Sequence, residues 1–352
     1  MSGKIKFEKH ELAAKFLDPR QEFNPTSNGY QVRVDPLTGK TSHFSHFGVI
    51  KPQKLDLEKY NDPEIKGFCP FCGDFKTTIT PKFCEDLIPE GRFSQGEALL
   101  VPNLHPYDIY SSVLIMTNDH VVPLEKLSDK ILYDTFSVGL RFLKRVKTVD
   151  PSLKYPIMTW NYMPPSGGGL VHPHQQYFTS ANPGNRYTEE LKASKEFYDQ
   201  YQTDFWSELV TAEKENNDRY LGQVGDSHWL LPFVSSGVLG EIMCVLPKVF
   251  TVDDFTDSDI SDLIRGLQTV FRYFQDTEIC SFNASLFWGP PDQNYFPAHF
   301  RIVPRTFMNT RDFATDMNFF QVLLGEPICG VFPEELTKDI KKYFINKNRA
   351  DS

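Results

Sequence analysis

The same order of elements runs twice through this 352-residue sequence. In the first pass, residues 112–117 (SVLIMT) read as a strand. Ser128 then stands as an N-cap ahead of Ile131, Leu132, Phe136, Leu140, Leu143 and Val146, which recur at helical spacing. A strand over 156–162 carries Asn161, a glycine loop covers 166–169, and a strand over 171–178 carries His174. The second pass repeats the order: a strand over 240–246, the cap Thr256, and a helix with Ile260, Leu263, Ile264, Leu267, Val270, Phe271 and Phe274. A strand with Asn283, a turn at Gly289 and a strand with His299 complete it. An internal repeat of this kind constrains the fold more than composition does. It predicts an α+β protein of two halves, residues 31–190 and 191–352, each an antiparallel sheet with packed helices. Upstream, 97–101 reads as another strand and 31–42 as a hairpin turning at Pro36 and Gly39, while 1–30 reads as polar and irregular.

Charge narrows the partners. A net charge of −9 gives no general attraction for nucleic acid or anionic lipid, so any phosphate chemistry needs local positive groups. No run approaches the roughly 18 apolar residues of a membrane helix, and the polar residues 1–9 have no secretory h-region. Cys84, Cys244, Cys280 and Cys329 are scattered, as expected of buried reduced thiols in a cytoplasmic protein.

Cys69 and Cys72 differ, because Cys69-Pro-Phe-Cys72 spaces two thiols to bind one zinc from a tight turn. A redox pair would want a βαβ setting, and proline-rich loop surrounds this one. With no second C-x-x-C, a zinc ion needs two further ligands, for which histidine is the natural source. Spacing alone leaves open which of the nine histidines serve.

His172-Pro-His174 places two imidazoles on one face of an extended segment, about 6.5 Å apart at Cα. Both could bind metal, or one could bind metal while the other acts as a nucleophile. Gln176 shares that face, and Gly167 to Gly169 permit close backbone approach to a bound group. A neutral imidazole suits attack on phosphorus, because the N–P adduct is labile enough to pass on.

Taken together, these motifs resemble the galactose-1-phosphate uridylyltransferase branch of the histidine-triad superfamily, from about residue 31 onward. Arg33-Val-Asp-Pro-Leu-Thr-Gly-Lys40 resembles its opening R-x-N-P-L-T-G-E, with Lys51-Pro52 where it has Arg-Pro. Cys69-Pro-Phe-Cys72 resembles its C-P-F-C half-site, although Gly73-Asp74 replaces the usual continuation. Thr117-Asn-Asp-His120 resembles its S-P-D-H, and His172-Pro-His174-Gln175-Gln176 its H-P-H-x-Q. The resemblance implies one structural zinc on Cys69, Cys72, His120 and His172, with His174 as the nucleophile and Gln176 holding the phosphoryl group. It implies substrate contacts from Asn161, Asn103 and the backbone at Gly168 and Gly169, with Lys51 and Arg301 supplying charge.

Departures from the family pattern are equally specific. Gly169 stands where members often carry Ser. Pro297 and Gly289 replace ligands of the second metal that some members hold, so none is expected. Asp316, Val322 and Ile328 replace the Lys, Glu and Gln of galactose-specific members. The implied function is nucleotidyl transfer from a nucleoside diphosphate sugar to a sugar 1-phosphate or similar phosphate, in a homodimer, through a nucleotidyl-histidine. Alternatives are a nucleotide-sugar or dinucleotide phosphorylase or hydrolase, a zinc hydrolase using both motif histidines as ligands, and a non-catalytic nucleotide-binding protein.

Overall fold

A computed structural model describes residues 3–46, 51–309 and 314–347, so the end of the second half, 348–352, lies outside the described residues. Two sheets organise them. The smaller joins β1 (Glu8–Asp18), β2 (Asn24–Val34), β3 (Thr41–Phe44) and the short β14 (Ile328–Cys329). The larger contains β4 (Phe93–Gln95), β5 (Ala98–Pro102), β6 (Tyr110–Ile115), β7 (Tyr155–Tyr162), β8 (His174–Ser180), β9 (Tyr220–Val224), β10 (Ser227–Leu230), β11 (Ile242–Leu246), β12 (Phe282–Phe287) and β13 (Ala298–Pro304). Its spatial order is β4-β5-β6-β8-β7-β12-β13-β11-β10-β9.

That order is symmetric about its centre. The two halves join edge to edge where β12 pairs antiparallel with β7, so two expected sheets are one continuous sheet. Thr159 faces Ser285 across the join. Gln176 lies opposite Thr159 on one side, and Arg301 opposite Ser285 on the other. A two-fold axis through the Thr159–Ser285 pair therefore carries Gln176 onto Arg301 and His174 onto His299. The asparagines do not follow, because Asn161 maps onto Phe287, whereas Asn283 sits directly opposite Asn161. The second asparagine is thus no copy of the first.

Helices α1 (Asp129–Val149), α2 (Asn185–Tyr201), α3 (Phe205–Asn216), α4 (Asp257–Asp276) and α5 (Pro333–Lys347) pack on this framework. Ser128 caps α1 through Ile131 N–H, and Thr256 with Asp259 forms a capping box on α4. The apolar stripes of α1 and α4 cover one face of the large sheet, burying Leu100, Leu114, Met158, Trp160, Tyr177, Ala284, Leu286, Phe300 and Ile302. Each helix comes closest at a glycine: a Cβ on Gly139 would fall inside the Tyr177 ring, and one on Gly266 inside the Trp229 indole.

Period-two alternation sends the other strand residues to the opposite face. There, Val101, Val113 and Ile115 pack with Cys69 and Phe71 at the first-half end. Ile157, Leu230, Met243 and Val245 pack under α2 and α3 at the other. Between these apolar covers lies a partly exposed strip with Thr159, Asn161, Gln176, Asn283 and Ser285.

The first 30 residues differ from expectation. Strands β1 and β2 pair over their full length as a two-stranded ribbon exposed along nearly all of β1. With solvent on both sides, neither strand needs the hydropathy alternation that marks a half-buried strand, so the sequence reads as irregular. The expected turn at Pro36 and Gly39 does join β2 to β3, with Val34 paired to Thr41.

Candidate functional site

Cys69 and Cys72 sit in the turn that packs under β5 and β6. His120 follows β6, and His172 immediately precedes β8. One potential ligand atom from each lies within 4.8 Å of all the others. Cys72 Sγ is 3.3 Å from His120 Nδ1 and 3.5 Å from His172 Nδ1, and Cys69 Sγ is 3.6 Å from His172 Nδ1. Atoms bonded to one tetrahedral zinc at about 2.0–2.3 Å stand about 3.3–3.8 Å apart. The four residues predicted as ligands form this quartet.

The orientation of His172 fits an ion. Its Nε2–H donates to the Thr117 carbonyl at 2.9 Å, which leaves the Nδ1 lone pair facing the thiols. Burial pushes the Cys69 thiol up to about 12 and the His172 imidazole down to about 4. The pocket therefore disfavours a Cys69 thiolate unless a cation compensates it, which a divalent ion does. A Cys2His2 cluster able to hold a metal ion is present.

His174 begins β8 beside this quartet. Its Nδ1–H donates to the His172 carbonyl at 2.8 Å, fixing the tautomer with the lone pair on Nε2. Burial lowers its pKa, against a raising contribution from that hydrogen bond, which favours the neutral ring. Phe71 packs on both motif histidines with ring centroids 5.7 Å away. Nothing in the sequence marks that phenylalanine except its place inside the C-x-x-C turn.

Gln176 is half-buried on the same face as His174, while Gln175 turns to the helical face and accepts from Tyr177 Oη at 2.7 Å. The β7–β8 pairing ends at Thr159–Gln176, and Asn161 and His174 each lie two residues beyond that pair on their strands. The chain then turns sharply. Met163 adopts φ 62°, and Gly167 adopts φ 82°. The left-handed conformation is ordinary for glycine but strained for methionine, at about 1–3 kcal/mol. Gly168 runs against Asn161, since a Cβ there would stand 3.3 Å from Asn161 Cβ, whereas Gly169 is exposed.

The remaining predicted contacts lie further out. Asn103 follows β5 and accepts from His105 N–H at 3.0 Å, which shapes the loop. Lys51 is exposed, two residues before Gln53, whose N–H donates to Thr306 Oγ1 at 2.9 Å. Arg301 shares the register row of Gln176, three strands away, but it is buried and bound to Glu241 at 3.0 Å and Glu190 at 3.3 Å. Two carboxylates already meet its charge. His299 lies under Trp206, stacked at 4.0 Å. Asp316 forms a forked ion pair with Arg305, Val322 is exposed, and Ile328 lies on β14. Two expected buried thiols are not so, since Cys84 is exposed and Cys280 half-buried.

No family model matches the sequence. An uncharacterized protein of Archaeoglobus fulgidus is 27% identical over 317 residues, 90% of this chain and 92% of that protein. Among solved structures, a GalT-like protein of Arabidopsis thaliana superposes with a TM-score of 0.66 at 16% identity, covering 88% of this chain and 98% of that one. The chain has the galactose-1-phosphate uridylyltransferase-like fold. A uridylyltransferase structure matches with a TM-score of 0.65 at 20% identity, over 90% of this chain and 99% of that one. An ADP-glucose phosphorylase of Arabidopsis thaliana with bound ADP-glucose matches with a TM-score of 0.66 at 15% identity, over 89% and 98%. Within this GalT-like fold, the quartet and the H-P-H-x-Q strand are built by the first half. No described helix is long and apolar enough to cross a membrane.

Proposed function

We propose that the protein transfers a nucleotidyl group through a covalent intermediate on His174. One observation carries this: the His174 imidazole is held at Nδ1 by the His172 carbonyl, which leaves its lone pair on Nε2, on a strand whose same face carries Gln176. Nε2 attacks the α-phosphorus of a nucleoside diphosphate sugar. The N–P bond forms as the P–O bond to the sugar phosphate breaks, and the leaving oxygen takes the electron pair. The adduct ring is cationic and keeps its Nδ1 proton on the His172 carbonyl. A phosphate oxygen of the acceptor then attacks the same phosphorus, the P–N bond breaks, and neutral imidazole returns. Gln176, Asn161 and backbone at Gly168 and Gly169 hold the phosphoryl oxygens, with Asn103 and Lys51 at the edge of the site.

Cys69, Cys72, His120 and His172 hold a structural zinc ion, which rigidifies the turn and strand presenting His174. The acceptor is a sugar 1-phosphate in a transferase and inorganic phosphate in a phosphorylase. Asp316 removes a cationic sugar anchor from the C-terminal segment, which supports a sugar other than galactose. The exposed thiol of Cys84 supports a reducing, cytoplasmic setting. A homodimer is supported by the exposed Leu12 and Phe16 on one face of the β1–β2 ribbon, which a second copy would cover.

Intact-protein mass after incubation with UDP-glucose, ADP-glucose and GDP-mannose tests the chemistry. A nucleotidyl adduct that is absent from His174→Ala is expected. An adduct that persists in that variant, or none with any donor, sinks the reading. Product analysis with phosphate or glucose 1-phosphate as acceptor separates phosphorylase from transferase. Light scattering of Leu12→Glu/Phe16→Glu against wild type tests the dimer.

A further inference from the structure

The Asn161 side chain is tied down from the other half of the chain. Asn283 on β12 lies directly opposite Asn161 on β7. Its Nδ2 donates to Asn161 Oδ1 at 2.6 Å and to the Ser166 carbonyl at 2.9 Å. Its Oδ1 accepts from Arg305 Nη1 at 2.5 Å. Asp316 holds the other edge of that guanidinium, accepting from Nε at 2.9 Å, and also accepts from Thr306 N–H at 3.2 Å.

Chemistry fixes the direction of this chain of contacts. A guanidinium only donates, so Asn283 must turn its oxygen to Arg305 and its amino group to β7. That amino group also only donates, so Asn161 must turn its oxygen to Asn283. One orientation of the Asn161 amide is left, with its two N–H donors directed away from Asn283. Asn161 lies two residues beyond Thr159, the partner of Gln176, and against Gly168.

We infer that Asn283 is a positioning residue: backed by Arg305 and Asp316, it locks the Asn161 amide as a donor to a phosphoryl oxygen at His174. This rests on the proposed nucleotidyl transfer. Asn283 itself touches no substrate and acts through Asn161.

The substitutions Asn283→Asp and Asn283→Ala, each alone and combined with Asn161→Ala, separate positioning from packing. Asn283→Asp keeps the shape and a partner for Arg305 but cannot donate. Asn161 then turns its amino group toward the new carboxylate, and the substrate meets an oxygen where a donor stood. Asn283→Ala leaves the Asn161 amide free to choose. The rate of adduct formation with ADP-glucose and UDP-glucose is expected to fall about tenfold or more in Asn283→Asp, as for loss of a hydrogen bond to a charged group. Asn283→Ala is expected to lose less, and both to become nearly silent in the Asn161→Ala background. A packing role gives the reverse order, because Ala leaves a void and Asp does not. That order, or losses that multiply with that of Asn161→Ala, overturns the inference.

If wild type forms no adduct, nucleotidyl transfer fails, and NMR decides the positioning separately. The Asn161 side-chain amide signal, identified by its loss in Asn161→Ala, is expected to shift in Asn283→Asp. An unmoved signal in a variant that melts like wild type overturns the inference.

Discussion

His174 and His299 occupy equivalent places about the two-fold axis of one sheet, yet their surroundings differ in every respect that matters for chemistry. The strand of His174 is preceded by a candidate metal quartet, and polar Gln176 follows His174 on the same face. His299 is fully buried, stacked under Trp206, with Glu190 3.7 Å from its Nε2. The counterpart of Gln176 is Arg301, an ion-paired cation, and the counterpart of Asn161 is Phe287. The two halves share one sheet arrangement, and they differ in what surrounds the equivalent histidines. The second half also reaches across the join, where Asn283, held by Arg305, donates to Asn161.

The largest effect that could break this contrast concerns the two histidines themselves. His174→Ala is expected to abolish the nucleotidyl adduct and lower turnover by more than about a thousandfold, as for loss of a covalent nucleophile. His299→Asn is expected to leave adduct formation within about twofold per folded molecule. Single-turnover rates with ADP-glucose and UDP-glucose measure both. Equal losses in the two variants would show that the second copy is not merely scaffold.

Next in size is the metal. Elemental analysis should find one zinc per chain, removed by a strong chelator and missing in Cys72→Ser. Binding energies of structural zinc reach about 10 kcal/mol in small domains, and each kcal/mol moves the melting point of a large domain by about 2–4 °C. A fall of about 10 °C or more is therefore expected on removal. Hydrogen exchange should loosen residues around Cys69, Thr117 and His172, while the core around Trp206 stays protected. Uniform loosening of both halves would remove the contrast.

The sequence made some of this visible and hid the rest, for physical reasons. Helices α1 and α4 were legible because each presents a full apolar stripe to a sheet and carries a side-chain cap. Helix α2 was not, since it buries only Tyr187, Glu190, Leu191 and Ser194 along its length. The quartet was legible through motifs that resemble a family's, not through spacing, which left the histidine partners open. The two asparagines read as repeats because each lies on a strand before a histidine strand. Only the register shows them facing each other, and no local pattern encodes a pairing between residues 161 and 283. Arg301 was expected near phosphate from its place beside His299, but its two carboxylate partners come from distant segments.

The contrast sharpens at Trp206, which stacks on His299 at 4.0 Å, whereas Phe71 lies tilted against His174 at 5.7 Å. Its indole is buried, packs against Phe205 and Phe296, and donates from Nε1 to Ser194 Oγ at 3.3 Å. Trp206→Ala opens a large cavity and is expected to cost about 3–5 kcal/mol of stability by denaturant unfolding. Adduct formation by the folded fraction should be unchanged. A variant that keeps its stability but loses adduct formation would put Trp206 in the site instead of in the scaffold.

The smallest effect tests how the second half is fastened to the small sheet, where no metal quartet serves. Glu334 at the start of α5 takes a forked ion pair from buried Arg33 at 2.8–2.9 Å and a further contact from Arg219 at 2.8 Å. Burial alone would raise its carboxyl, but the hydrogen bonds and charge of Arg33, then Arg219, outweigh it and hold the pKa at about 2. A carboxyl lowered from 4.5 adds stability at pH values above 4.5 and loses it as pH falls toward about 2. Glu334→Gln is therefore expected to cost roughly 1–2 kcal/mol at neutral pH, a figure reduced for the partial exposure of the pair. The gap between variant and wild type should shrink steadily below pH 4.5. Other acid-sensitive groups, the zinc ligands included, act on both proteins alike, so denaturant unfolding of the pair at pH 7 and pH 3 isolates this carboxyl. A gap of the same size at both pH values would mean that Glu334 contributes shape, not charge, and that the second half is not fastened by this ion pair.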